Sequence, residues 1–89
     1  MIRVKEVTPL SNYQLLVSFS NGAKKYFDVK PYLDKGIFKE LKNIDLFNSV
    51  HVFLGSIAWD NGADFCPDTL FEEGGYYIPE TPSNKVAES

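Results

Sequence analysis

The sequence predicts an α+β fold: a small two-layer domain of antiparallel β-hairpins with short helices packed on one face. Two Asn-Gly pairs, Asn21-Gly22 and Asn61-Gly62, each lie between runs of strand-like residues, a pattern typical of hairpins. The apolar residues Ile37, Phe38 and Leu41 recur instead at helical spacing. At 89 residues the chain has room for one core and for no separate catalytic lobe.

The elements follow in order along the chain. Apolar and polar residues alternate over 2–8, 13–19 and 24–29, which predicts three strands, the last two joined at Asn21-Gly22. Helical turns are expected at 31–34, 37–42 and 46–48, with Asp45 as the cap of the last. Further strands are expected at 50–53, 57–59 and 63–65, a turn at Gly55-Ser56 and a helical turn at 67–71. We expect residues 1–75 to form the single domain and residues 76–89 to be a C-terminal extension with a flexible end.

Composition narrows the class of protein. The one cysteine, Cys66, has no partner for an internal disulfide, which favours a reducing, cytoplasmic compartment. No apolar run reaches the roughly 20 residues of a membrane span, so we expect no membrane partner. Residues 1–44 hold eight Lys or Arg against four acids, and residues 45–89 hold one against eight. The two halves either neutralise each other in the fold or attract partners of opposite charge.

The chemically richest segment surrounds the second Asn-Gly pair. Three carboxylates lie within nine residues, which is compatible with a divalent metal, but their spacing is not that of a calcium-binding loop. Local structural roles in a turn, a strand and a helix cap also account for them. The candidate functional segment comprises Trp59, Asp60, Asn61, Gly62, Asp64, Cys66, Pro67 and Asp68.

Other kinds of functional site have weaker support in the sequence. Cys66 and His51 are the only residues of their types, and nothing in the sequence supplies a third group to orient such a nucleophile–base pair. Phosphate-binding glycine motifs are absent. We therefore predict no catalytic residue, no metal and no cofactor, and regard an enzyme as the less favoured class. A candidate basic face, which would make the protein a nucleic-acid adaptor, comprises Arg3, Lys5, Lys24 and Lys25.

The order of these features resembles a bacterial family catalogued as domain of unknown function 2442. The resemblance covers about residues 2–72 and is most specific over residues 59–68, Trp-Asp-Asn-Gly-Ala-Asp-Phe-Cys-Pro-Asp. It implies a compact α+β fold, no established catalytic residue, and a gene beside that of another small protein in a toxin–antitoxin-like pair. We therefore expect a non-catalytic protein-binding module, the antitoxin-like member of the pair, whose partner is that neighbouring small protein or a second copy of the chain. The alternatives are a small enzyme, or a ligand- or metal-binding protein, that uses Asp60–Asp68, and a nucleic-acid adaptor.

Overall fold

The computed structural model describes residues 2–76 of the chain. These residues contain seven strands: β1 (Val4–Pro9), β2 (Gln14–Phe19), β3 (Lys24–Asp28), β4 (His51–Phe53), β5 (Ser56–Ala58), β6 (Asp64–Phe65) and β7 (Gly75–Tyr76). The same part of the chain contains two α-helices, α1 (Ile44–Phe47) and α2 (Pro67–Glu73), and 3₁₀ segments at Ser11–Tyr13, Lys30–Tyr32 and Gly36–Lys42. The α+β prediction is confirmed, and the predicted strands lie within two residues of the observed ones.

The strands form two antiparallel sheets. The larger sheet has the order β1-β2-β3-β7, and the smaller has the order β4-β5-β6. Gly75 and Tyr76 pair with Tyr26 and Lys25, so the larger sheet reaches one residue past the predicted domain limit. The rest of the predicted extension, residues 77–89, lies outside the described residues.

The core lies on the inner face of the larger sheet. Alternate residues of β2, namely Leu15, Val17 and Phe19, are almost completely buried. Opposite them, Phe27 of β3 meets Phe65 of β6 edge to face, with ring centroids 4.9 Å apart. Large aromatic side chains therefore join the two sheets, as expected where few residues must fill a core.

The helical segments differ from the prediction in two details. Residues Gly36–Lys42 form a 3₁₀ helix rather than an α-helix. A segment this short gains little from α-helical cooperativity, and of its residues only Leu41 is buried. The cap of α1 is Asn43, whose side chain accepts a hydrogen bond from the Asp45 N–H, so Asp45 lies inside the helix that it was expected to cap. Among residues 2–76, every helix is too short to cross a membrane.

Candidate functional site

The outer face of the small sheet carries a trough. Antiparallel pairing places His51, Ala58 and Asp64 on one face, together with the pair Phe53 and Ser56. Ile57 and Phe65 point to the opposite face and are buried in the core. Because the central strand β5 presents only the small side chains Ser56 and Ala58 outward, the larger side chains of β4 and β6 form two walls.

Two adjoining hollows make up this trough. One of about 290 Å³ is lined by Phe53, Leu54, Ser56, Ile57, Asp64, Phe65, Cys66 and Pro67. The other, of about 350 Å³, is lined by His51, Phe53, Ala58, Trp59, Asp60, Gly62 and Asp64. Phe53 and Asp64 border both hollows. We call this surface the outer trough, defined by His51, Phe53, Ser56, Ala58, Asp60, Asp64 and Cys66.

The β4–β5 turn stands at one end of the outer trough. Phe53 pairs with Ser56, so the loop consists of two residues, and Leu54 (φ 52°) and Gly55 (φ 78°) both have positive φ. This is the backbone of a type I′ turn. The Val4 N–H of β1 donates to the Gly55 carbonyl at 2.8 Å, which fixes the turn against the edge of the larger sheet. The predicted turn at Gly55-Ser56 is thus shifted back by one residue.

The two Asn-Gly hairpins share one hydrogen-bond pattern. In the second, the Gly62 N–H donates to the Trp59 carbonyl at 3.0 Å, and the Ala63 N–H donates to Asn61 Oδ1 at 3.0 Å. In the first, Gly22 and Ala23 make the equivalent bonds. Of each Asn-Gly pair, only the glycine has a positive φ. The asparagines act instead through their side chains, which accept the N–H two residues on.

Trp59 and Asn61 anchor the second hairpin to the rest of the fold. The Trp59 side chain is buried, and its indole N–H donates to the Phe47 carbonyl at 2.9 Å. The Asn61 amide donates to Glu40 Oε1 at 3.0 Å, which ties the turn to the segment Gly36–Lys42. Both residues therefore have structural roles in this part of the predicted functional segment.

The three carboxylates of that segment do not converge. Asp60 and Asp64 border the larger hollow, whereas Asp68 lies in the first turn of α2 and faces a separate hollow with Arg3. Within residues 2–76, no group of three or more His, Cys, Asp or Glu side chains is placed to hold a metal ion. Pro67, at the start of α2, has the fixed φ that a first helical position accepts.

Cys66 is an exposed free thiol. Its Sγ lies 3.0 Å from the hydroxyl of Thr69, and this hydrogen bond lowers the pKa of the thiol below its ordinary value. His51 lies in the other hollow, where its Nδ1 is 3.9 Å from Asp60 Oδ1. The two side chains thus border different hollows, so the geometry does not assemble the nucleophile–base pair that the sequence left open.

The candidate basic face is not a single surface. Lys25 is only 4% exposed; its ammonium group donates to the Phe71 carbonyl and lies 3.8 Å from the centre of the Phe71 ring. Its inclusion in an exposed face was wrong, because its position in β3 places it on the inner side with Phe27. Lys5 and Lys24 border one hollow together with Glu6, whereas Arg3 lies at another, beside Gly55.

Sequence reasoning missed Phe53 and Leu54 as candidate functional residues. Phe53 is 54% exposed and Leu54 is 82% exposed, the largest value among the exposed large apolar residues of the described chain. The signal was present in the apolar run Val52-Phe53-Leu54, which continues to the turn glycine with no polar residue. Such a run is too apolar for a strand with one solvated face.

The comparisons with known proteins give one result that bears on identity. Comparison with the curated proteins and with the solved structures found no match. The sequence model of DUF2442, described as a protein of unknown function, matches residues 4–76. This match includes both hairpins and every residue of the outer trough, and the chain therefore belongs to the DUF2442 family.

Proposed function

We propose that this protein is a non-catalytic protein-binding module that docks a partner on the outer trough and the adjoining β4–β5 turn. The observation that carries the proposal is Leu54, which is 82% exposed and has a φ of 52°. The left-handed conformation costs an ordinary L-residue roughly 1–2 kcal/mol, and Asn or Gly fits it far better. Leu54 thus stabilises neither the turn nor the core, and a contact with a partner gives it a role.

The surroundings of Leu54 support an interface. Phe53, which is 54% exposed, extends the apolar surface along β4 on the outer face, whereas Val52 pairs with Ile57 on the opposite face. Clustered exposed apolar side chains with polar residues at their border are typical of protein interaction sites. Asp60, Asp64 and the exposed Cys66 supply such a border.

The shape of the trough favours a protein over a small molecule. Both hollows, about 290 and 350 Å³, are at the lower end of the roughly 300–1,000 Å³ of small-molecule sites. Each suits one or two side chains of a partner. Catalysis has less support, because Cys66 and His51 border different hollows, and nucleic-acid binding has less support because Lys25 is buried.

The partner we propose is a small protein encoded by a neighbouring gene, with this chain as the antitoxin-like member of the pair. The family resemblance, which implies a gene beside that of another small protein, motivates this assignment, and the lone Cys66 supports a cytoplasmic setting. A second copy of the chain is the competing occupant of the same surface.

Site-specific photo-crosslinking tests the proposal directly. A benzophenone amino acid replaces Phe53 in the protein expressed in its native host cells. In a matched variant the same amino acid replaces Ile44, a residue of α1 that is 47% exposed. We expect one dominant adduct from position 53 and none from position 44. The protein identified in the adduct is then purified, and its complex with this chain is measured by size-exclusion chromatography with light scattering.

The quantitative test uses the purified pair. We expect a stoichiometric complex that Leu54→Asn weakens at least tenfold and that Ile44→Asn leaves unchanged, because a central apolar contact commonly contributes more than 1.4 kcal/mol to binding. Equal binding by both variants, or no adduct from position 53, would contradict the proposal. An adduct between two copies of this chain would show that the partner is a second copy and not the neighbouring protein.

A further inference from the structure

We infer that the partner segment that enters the outer trough carries arginine, with its guanidinium over the ring of Phe53 and paired with the carboxylates of Asp60 and Asp64. This inference rests on the proposed function and specifies the chemistry of the partner.

The described residues that line the trough include two carboxylates and no Lys or Arg. Asp60 and Asp64 line its larger hollow, and Asp64 lines the smaller one as well. Among the described residues, no Lys or Arg lines either hollow of the trough. Arg3 lies beyond the turn, in a separate hollow with Leu54 and Asp68. A cationic side chain therefore meets complementary charge in this trough.

Phe53 distinguishes arginine from lysine. Its ring is half-exposed and borders both hollows, as does Asp64, so an exposed aromatic ring and a carboxylate are available to the same bound group. A planar guanidinium stacks on an aromatic face and binds a carboxylate through two parallel N–H groups. A lysine ammonium is a compact, strongly hydrated charge and does not combine these contacts in the same way. The trough therefore suits arginine better.

His51 borders the larger hollow beside Asp60. Its ring lies 3.9 Å from Asp60 Oδ1 and meets Phe53 edge to face, with ring centroids 6.4 Å apart.

The chain's own C-terminal residues have the wrong charge for this site. Residues 77–89 carry Glu80 and Glu88 against the single cation Lys85 and contain no arginine. Arg3 is the only arginine in the sequence, and it packs beside Gly55. A partner protein therefore supplies the guanidinium.

The test is an NMR titration of the ¹⁵N-labelled full chain with three capped pentapeptides. The probes are Leu-Arg-Gly-Arg-Leu and its matched forms with lysine or citrulline in place of both arginines. We expect saturable shifts of the amides of β4, β5 and β6 with the arginine peptide. The lysine peptide should bind about threefold more weakly, and the uncharged citrulline peptide should not bind measurably.

Variants locate the contact. Asp60→Asn with Asp64→Asn should weaken binding of the arginine peptide about tenfold, and Phe53→Leu should remove the preference for arginine over lysine. Glu72→Gln removes an exposed carboxylate of α2 outside the trough and should leave the affinity unchanged at low salt. Raising the salt to about 0.5 M should weaken binding.

The outcomes separate this inference from the proposed function. Equal binding of the citrulline peptide, or shifts that map outside the trough, would overturn the arginine assignment. If position 53 crosslinks to a protein partner but no arginine peptide binds in the trough, the proposed function stands and the arginine assignment fails. If the arginine peptide binds in the trough but no protein crosslinks there, the proposed function fails and the preference of the trough for arginine stands.

Discussion

Leu54→Asn changes one residue at the tip of the β4–β5 turn and should make the isolated protein more stable. Leu54 has a φ of 52° and is followed by Gly55 with a φ of 78°. Asn-Gly is the preferred sequence for such a two-residue turn, because asparagine tolerates positive φ and leucine does not. The substitution therefore gives this turn the residue pair that a two-residue turn with two positive φ angles favours.

The size of the effect follows from two terms. Relief of the left-handed conformation is worth roughly 1–2 kcal/mol. Against it, the apolar burial that is lost is small, because Leu54 is 82% exposed, and about a fifth of the 1.5–3 kcal/mol of a fully buried leucine is a few tenths. We expect the free energy of unfolding to rise by about 1 kcal/mol and Tm by about 4–8 °C.

Urea denaturation followed by the fluorescence of the single tryptophan measures this change, with calorimetry for Tm. Ile44→Asn is the matched control: it also removes an exposed apolar side chain, but from helix α1, where φ is not positive. Its stability should be unchanged or slightly lower, because asparagine is a poorer helix former. An unchanged or lower stability of Leu54→Asn would refute the argument that this turn is strained.

Three further perturbations test other parts of the fold. Lys25→Ala should lower the free energy of unfolding by about 2 kcal/mol, because it removes a buried aliphatic stem and the ammonium group that donates to the Phe71 carbonyl near the end of α2. The control Lys39→Ala removes an exposed lysine and should change the free energy of unfolding by less than about 0.5 kcal/mol. Trp59→Phe should cost about 1–2 kcal/mol in urea denaturation followed by circular dichroism, because it leaves a small cavity and removes the shorter of the two hydrogen bonds to the Phe47 carbonyl, which keeps only the Val50 N–H at 3.4 Å; a change below about 0.5 kcal/mol would refute that role. Thr69→Val should raise the pKa of Cys66, because the thiolate loses its hydrogen-bond donor. The rate of Cys66 alkylation at about pH 7 should fall and the midpoint of its pH profile should move upward; an unchanged profile would contradict this cause.

The sequence determined the local structure of this protein. Alternation over β2 and β3 correctly placed Leu15, Val17 and Phe27 on the inner face, because a strand has a period of two whatever surrounds it. The Asn-Gly pairs located both hairpins, although the asparagines act through their side-chain carbonyls rather than through positive φ. The same alternation placed Lys25 on the inner face, but its charge alone suggested an exposed position.

Only the tertiary structure decided how these elements combine. Lys25 is buried because the end of α2, 46 residues further along the chain, presents the Phe71 carbonyl to its ammonium group. The trough on the smaller sheet depends on which residues of β5 face outward, here the small residues Ser56 and Ala58. The positive φ of Leu54 follows from the register of β4 with β5, which leaves two residues for the turn. Contacts of this kind join residues far apart in the sequence, and no local period or turn motif encodes them.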